Sequence, residues 1–331
     1  MSQAGAEGRG GGRFWWAALG QVEGLGAAAM LRLARLFGSP EAACAASLEE
    51  LVGRGRLSRR QAEQVRALPA SRPELTATLE AYAQSGLHLL CLEDTDYPAS
   101  LLDLRSPPPV LYLLGELQPR DAHAVAIVGT REPDEEGTRL AHYLGRELAQ
   151  RGFTIVSGLA RGIDTAGHQG ALEAEQGRSL AVVGGGLQRI YPPENAPLAA
   201  QLAARGAVLA EVPPETRVDR RLLLARDRIQ AALSLAVIVV QGHRQCGSMV
   251  TARHAAQCHR LLYGVPWTES PFAGGWERLR ELGARPLTME TDLDALAQEI
   301  EAGPPAGRQP SLGASTGEHG RDDDEAEAEE E

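Results

Sequence analysis

The chain of 331 residues is 43% hydrophobic, enough for two domains with a sizeable buried core. All 33 basic residues are arginine, which removes P-loop ATPases, with their G-K-[ST] lysine, and Schiff-base enzymes, with their lysine amine. The formal charge of −11 does not exclude a polyanionic ligand, because Ser315 to Glu331 carries −8 and leaves −3 for the rest.

Residues 1–13, "MSQAGAEGRGGGR", lack the apolar core of a signal peptide and read as a disordered N-terminus. Residues 14–85 read as a small helical domain, with apolar residues at helical spacing in "LGQVEGLGAAAMLRLARLFG" and "SLEELVGRGRLSRRQAEQVRAL". The "GLG" turn gives it a SAM-like or helix-hairpin-helix-like character, and Trp15 and Trp16 read as core anchors. Residues 86–122 read as a connector with short strands around "DYP" and a triple proline.

From residue 123 to 302, six apolar strands alternate with helical segments: "AVAIVG", "FTIVSG", "SLAVVGG", "AVLAEV", "LAVIVVQ" and "LLYGV". Continuous apolar strands separated by helices predict an α/β fold, an extended Rossmann-like, doubly wound and mostly parallel sheet. Residues 303–331 read as a disordered acidic tail. Four scattered cysteines form no disulfide framework, and no apolar run could span a bilayer. A cytoplasmic protein with no membrane partner is expected.

In such a sheet, ligands bind beyond the carboxyl ends of the strands. Those ends carry Gly129, Thr130 and Arg131; Ser157, Gly158, Arg161 and Gly162; Gly184, Gly185 and Gly186; and Gly247, Ser248 and Thr251. Glycines admit a ligand to the backbone, hydroxyls add hydrogen bonds, and arginines add charge and a flat stacking face. The expected ligand is a phosphate, on a nucleotide or on a nucleic-acid backbone. No G-x-G-x-x-G follows the first strand, which argues against a dinucleotide.

Ser157, Asp164 and His168 could form a nucleophilic triad, but Asp164 and His168 lie four apart on one helix and read better as its structural support. His243, Cys246, His254, Cys258 and His259 crowd one segment without a paired C-x-x-C, so no metal site is expected. A second basic cluster, "RRLLLARDR", holds Arg220, Arg221, Arg226 and Arg228.

Several ordered motifs together resemble the DNA-processing protein A (DprA/Smf) family: "DYPASLLDLRSPPPVLYLLG", "AIVGTR", "SGLARGIDTAGHQGAL", "GGGLQRIYPPEN", "RDR", "GSMVTARHA" and "GVPW". The resemblance spans roughly Phe14 to Ile300. It implies a non-enzymatic binder of single-stranded DNA without a cofactor, a homodimer that helps load a RecA-type recombinase in natural transformation. It places DNA on Gly129, Thr130, Arg131, Ser157, Gly158, Arg161, Gly162, Arg226, Arg228, Gly247, Ser248 and Thr251. Asp227 stands where the family usually has asparagine, Cys246 where it has serine, and Trp267 where it has glycine. Two alternatives stay open: a nucleotide-binding, phosphoribohydrolase-like enzyme using Glu211, and a protein-interaction module that has lost DNA binding.

Overall fold

The structure, a computed structural model, describes residues 7–268 and 270–303. Six helices come first: α1 (Glu7–Gly20), α2 (Ala27–Phe37), α3 (Pro40–Ala45), α4 (Leu48–Gly53), α5 (Arg59–Ala67) and α6 (Arg72–Gln84). Their starts are chemically marked. The Ser39 side chain caps α3, and Ser47 with Glu50 and Ser58 with Gln61 form reciprocal capping boxes on α4 and α5. Helix α1 begins at Glu7, so residues 7–13 are helical where disorder was expected; residues 1–6 and residues 304–331 of the expected tail lie outside the described residues.

The rest of the chain builds one nine-stranded sheet in the order β1-β2-β6-β5-β4-β3-β7-β8-β9. Its strands are β1 (Leu87–Cys91), β2 (Val110–Gly115), β3 (Ala124–Val128), β4 (Thr154–Ser157), β5 (Arg178–Val182), β6 (Ala207–Ala210), β7 (Ala236–Val239), β8 (Leu261–Gly264) and β9 (Arg285–Pro286). Strands β3 to β9 pair in parallel, whereas β2 runs antiparallel on β6 and β1 antiparallel on β2. Residues 86–122 carry the two short strands expected there, and these form an antiparallel margin of the main sheet. The reason is hydrophobic: Val110 to Leu113 are buried side by side, a run that leaves neither face of the strand for solvent.

Helices α7 (Glu135–Gln150), α8 (Ile163–Glu173), α9 (Ala196–Arg205), α10 (Arg220–Ala225), α11 (Asp227–Leu233), α12 (Gly247–Gln257), α13 (Ala273–Glu281) and α14 (Leu293–Ala302) complete the fold. One face of the sheet, through Ile127, Ile155 and Ile238, packs on α7, α8 and α14; the other, through Ala126, Val156 and Val237, packs on α11 and α12. The N-terminal helices share a continuous core with the sheet, in which Trp15, Trp16 and Leu19 join Val110, Tyr112 and Val208. The tryptophans are the core anchors the sequence suggested, 5% and 2% exposed. No helix among the described residues is long and apolar enough to cross a membrane.

Candidate functional site

Strand β3 pairs with β4 on one side and β7 on the other, so the winding reverses beside it, where open α/β sheets bind ligands. Here that crevice is filled by the chain itself. The Gln241 carbonyl accepts from Thr130 N at 2.7 Å, its Oε1 accepts from Asp134 N at 3.2 Å, and its Nε2 donates to Asp134 Oδ1 at 2.8 Å. Asp134 in turn caps α7, accepting from Gly137 N.

The open cleft lies one strand over, lined by Arg131, Gly158, Ala160, Arg161, Tyr191, Pro192, Leu223 and Arg226. Two ties hold its β3 and β4 loops together. Gly162 has φ +73°, a conformation that aims Ile163 N at the Thr130 carbonyl, 3.2 Å away. Buried Leu159 sits in the left-handed region at φ +59°, and its carbonyl accepts from Asn195 Nδ2 at 2.8 Å. Asn195 also donates to Thr165 Oγ1 at 2.8 Å, fixing the turn after β5 against the loop after β4.

Beneath the cleft, Asp164 accepts from Gly158 N (3.1 Å) and Ala160 N (3.3 Å), with Arg226 Nη2 3.9 Å from its Oδ2. Arg226 Nε lies 3.3 Å from Asp227 Oδ1, an ion pair without hydrogen-bond alignment. Arg226 crosses over Gly158, where a Cβ would collide with its guanidinium. Two buried carboxylates thus flank one guanidinium. Burial pushes both carboxyls up against the pull of Arg226; Asp227, also repelled by Asp164, reaches about 7.

Arg131 and Arg161 are exposed above this base. Arg161 Nε donates to Glu194, and Arg131 has no ion pair among the described residues. Tyr191, 39% exposed, is the one aromatic among the exposed large hydrophobic side chains of the described residues. Tyr191, Glu194 and Asn195 were not singled out from the sequence. The available signal was a tyrosine followed by two prolines between a glycine turn and a helix.

Other expected site residues go elsewhere. Gly129 packs on Ile163 and the Gln241 carbonyl, and Gly184, Gly185 and Gly186 are buried under residues 213–223, so these glycines admit protein rather than ligand. Arg228 turns inward to a half-buried ion pair with Glu211 and lines no part of the cleft. Gly247, Ser248 and Thr251 begin α12 beyond β7 and line no part of it; Ser248 and Thr251 are buried, and Ser248 Oγ lies 2.9 Å from Cys246 Sγ.

No nucleophilic triad forms. Ser157 Oγ donates to the Ile127 carbonyl at 2.6 Å, and His168 Nδ1 faces Ser179 Oγ at 2.7 Å. Because Ser179 Oγ donates to the Ile155 carbonyl, it accepts from His168, which is therefore the neutral Nδ1–H tautomer. Burial and the nearby Arg226 charge push this imidazole down to about 3. Glu211 is also committed to Arg228, away from the cleft. Among the described residues, no three His, Cys, Asp or Glu side chains gather as a metal site.

An extended Rossmann-like sheet with the crevice beside β3 plugged and an arginine-lined cleft alongside defines a protein of the α/β class with a basic cleft beyond its strand ends. The chain belongs to the DNA recombination-mediator protein A family, whose pattern matches residues 88–299. It is 38% identical over 261 residues to Protein Smf of Synechocystis sp., covering 76% of this chain and 64% of that one. Its fold matches DNA processing protein A from Streptococcus pneumoniae with a TM-score of 0.72 at 25% identity, covering 86% of this chain and 97% of that one. It also matches DNA processing protein A from Helicobacter pylori, a structure solved for its single-stranded DNA binding mode. That match has a TM-score of 0.57 at 30% identity and covers 64% of this chain and 94% of that one.

Proposed function

We propose that the cleft holds the sugar–phosphate backbone of single-stranded DNA and that the chain mediates recombination in natural transformation without turning over a substrate. The carrying observation is the convergence of Arg131, Arg161 and Arg226 with exposed Tyr191 on one cleft beyond β3 and β4. Guanidinium groups over a phosphate track, with an aromatic face for a base, are what single-strand binding requires. The Helicobacter pylori relative, named for its single-stranded DNA binding mode, supports the same reading. A cytoplasmic homodimer that passes the strand to a RecA-type recombinase extends this role.

The test is fluorescence anisotropy of a labelled single strand and the matching duplex at two salt concentrations. Strand-selective binding is expected, with log affinity falling against log salt by about 0.7 per phosphate neutralised. Arg131→Ala should weaken it and flatten the slope by about one such increment. Absence of binding at either salt overturns the reading and favours a protein-interaction module.

A further inference from the structure

The cleft's guanidiniums are not equally available. Arg226 is buried between Asp164 and Asp227, and Arg131 stands without an ion pair among the described residues. Arg161 is 55% exposed, yet its Nε is occupied by the Glu194 carboxylate, itself 50% exposed. This carboxylate is not carried by a loose segment. The next residue, Asn195, is 8% exposed and hydrogen-bonded to Leu159 O and Thr165 Oγ1, both on the stretch that bears Arg161. Pro192 and Pro193 restrict the turn from the other side. The fold therefore holds a carboxylate against one of the guanidiniums that line the cleft, on a group a phosphate would otherwise contact. Carboxylate and phosphate make the same charge-assisted contact with arginine.

We propose that Glu194 is an internal counter-ion of Arg161 that a strand phosphate must displace, so that it sets the affinity and salt sensitivity of the cleft. The inference rests on the strand-binding reading above. The exchange is graded rather than all-or-none, because an exposed ion pair is weak and a phosphate can replace it. It also masks one phosphate contact in the salt dependence. The phosphate docking on Arg161 releases its counter-ion, but the freed Glu194 takes up a solution cation and cancels that release.

The experiment is anisotropy of labelled oligothymidylate with wild type, Glu194→Gln, Arg161→Ala and the double variant, each at two salt concentrations. Glu194→Gln should bind about fivefold tighter at low salt, with a log–log slope steeper by about 0.7. In the Arg161→Ala background the same substitution should change nothing. If Glu194→Gln binds no tighter than wild type while Arg161→Ala binds more weakly, exchange is overturned and Glu194 instead positions Arg161. An equal gain in both backgrounds also overturns it, because the effect would then be general repulsion. No binding by wild type removes the strand-binding reading itself and the exchange with it.

Discussion

Arg226 and Asp227 are consecutive in the chain and buried together, Nε 3.3 Å from Oδ1. With Asp164 3.9 Å from the same guanidinium, two carboxylates share one positive charge under a cleft that would receive a phosphate. Asp227 faces Arg226, Asp164 and Arg131, and burial raises its carboxyl from the usual 3.8 to about 7.

A pH dependence follows, with a definite sign. A phosphate beside Arg226 repels the ionised form of Asp227, so binding favours its protonated form and takes up a proton. Affinity for a single strand should therefore rise as pH falls through about 7. Asp227→Asn, which removes the carboxylate at nearly constant size, should bind more tightly and lose this step. For folding, the native state holds a proton between pH 3.8 and about 7 that the unfolded chain does not. Stability should fall across that window as pH rises and level off above it. Anisotropy and urea melts over this range check both; a flat profile shared by wild type and Asp227→Asn would show that Asp227 does not titrate there.

Gly158→Ala tests the base of the cleft. Its Cβ would occupy the space of the Arg226 guanidinium, which is held on Asp164 and Asp227 and has little room to retreat. Overpacking of this kind costs about 1–3 kcal/mol. A lower urea midpoint and weaker strand binding should appear together. A stable variant with unchanged binding would mean that Arg226 does not need its present position.

Six of the seven parallel strands were legible because each is an apolar run bounded by a glycine turn, and Arg131 and Arg161 were legible by their place after strand ends, whereas Arg226 stood out only as part of a basic cluster. Side-chain direction was not. "RDR" places Arg226 and Arg228 two apart, but α11 begins at Asp227, and the helical turn sends Arg228 inward to Glu211. The three glycines after β5 suggested a phosphate cradle, yet their space is taken by residues 213–223, a contact between segments about 30 positions apart that no local pattern encodes. The same limit hid the partner of β2, which was expected only as a short strand: its antiparallel pairing with β6 joins residues nearly a hundred positions apart.

Arg228 should consequently behave as a structural residue. Arg228→Ala leaves the half-buried Glu211 without its counter-ion, and because both side chains keep some exposure the loss should fall below the roughly 3–5 kcal/mol of a fully buried pair. Replacing both partners with apolar residues of similar size, Arg228→Met with Glu211→Leu, should recover most of that loss. The folded fraction of either variant should bind a single strand as wild type does. A urea series gives the stabilities, and titration corrected for active protein gives the affinities; loss of binding by the stable double variant would return Arg228 to the interface.

Tyr191 gives the sharpest separation between stacking and charge. It lines the cleft 39% exposed, next to Arg161, with which its side chain interacts, and it shares its turn with Glu194 and Asn195. Stacking of a base on an aromatic ring contributes about 1–3 kcal/mol, so Tyr191→Ala should lose about tenfold in affinity while Tyr191→Phe stays close to wild type. The salt slope should not move, because no phosphate contact is lost, whereas Arg131→Ala should flatten it. Measuring affinity at three salt concentrations for all four proteins distinguishes the two contributions. A Tyr191→Ala variant that changes the slope but not the low-salt affinity would place the tyrosine on the backbone track instead of under a base.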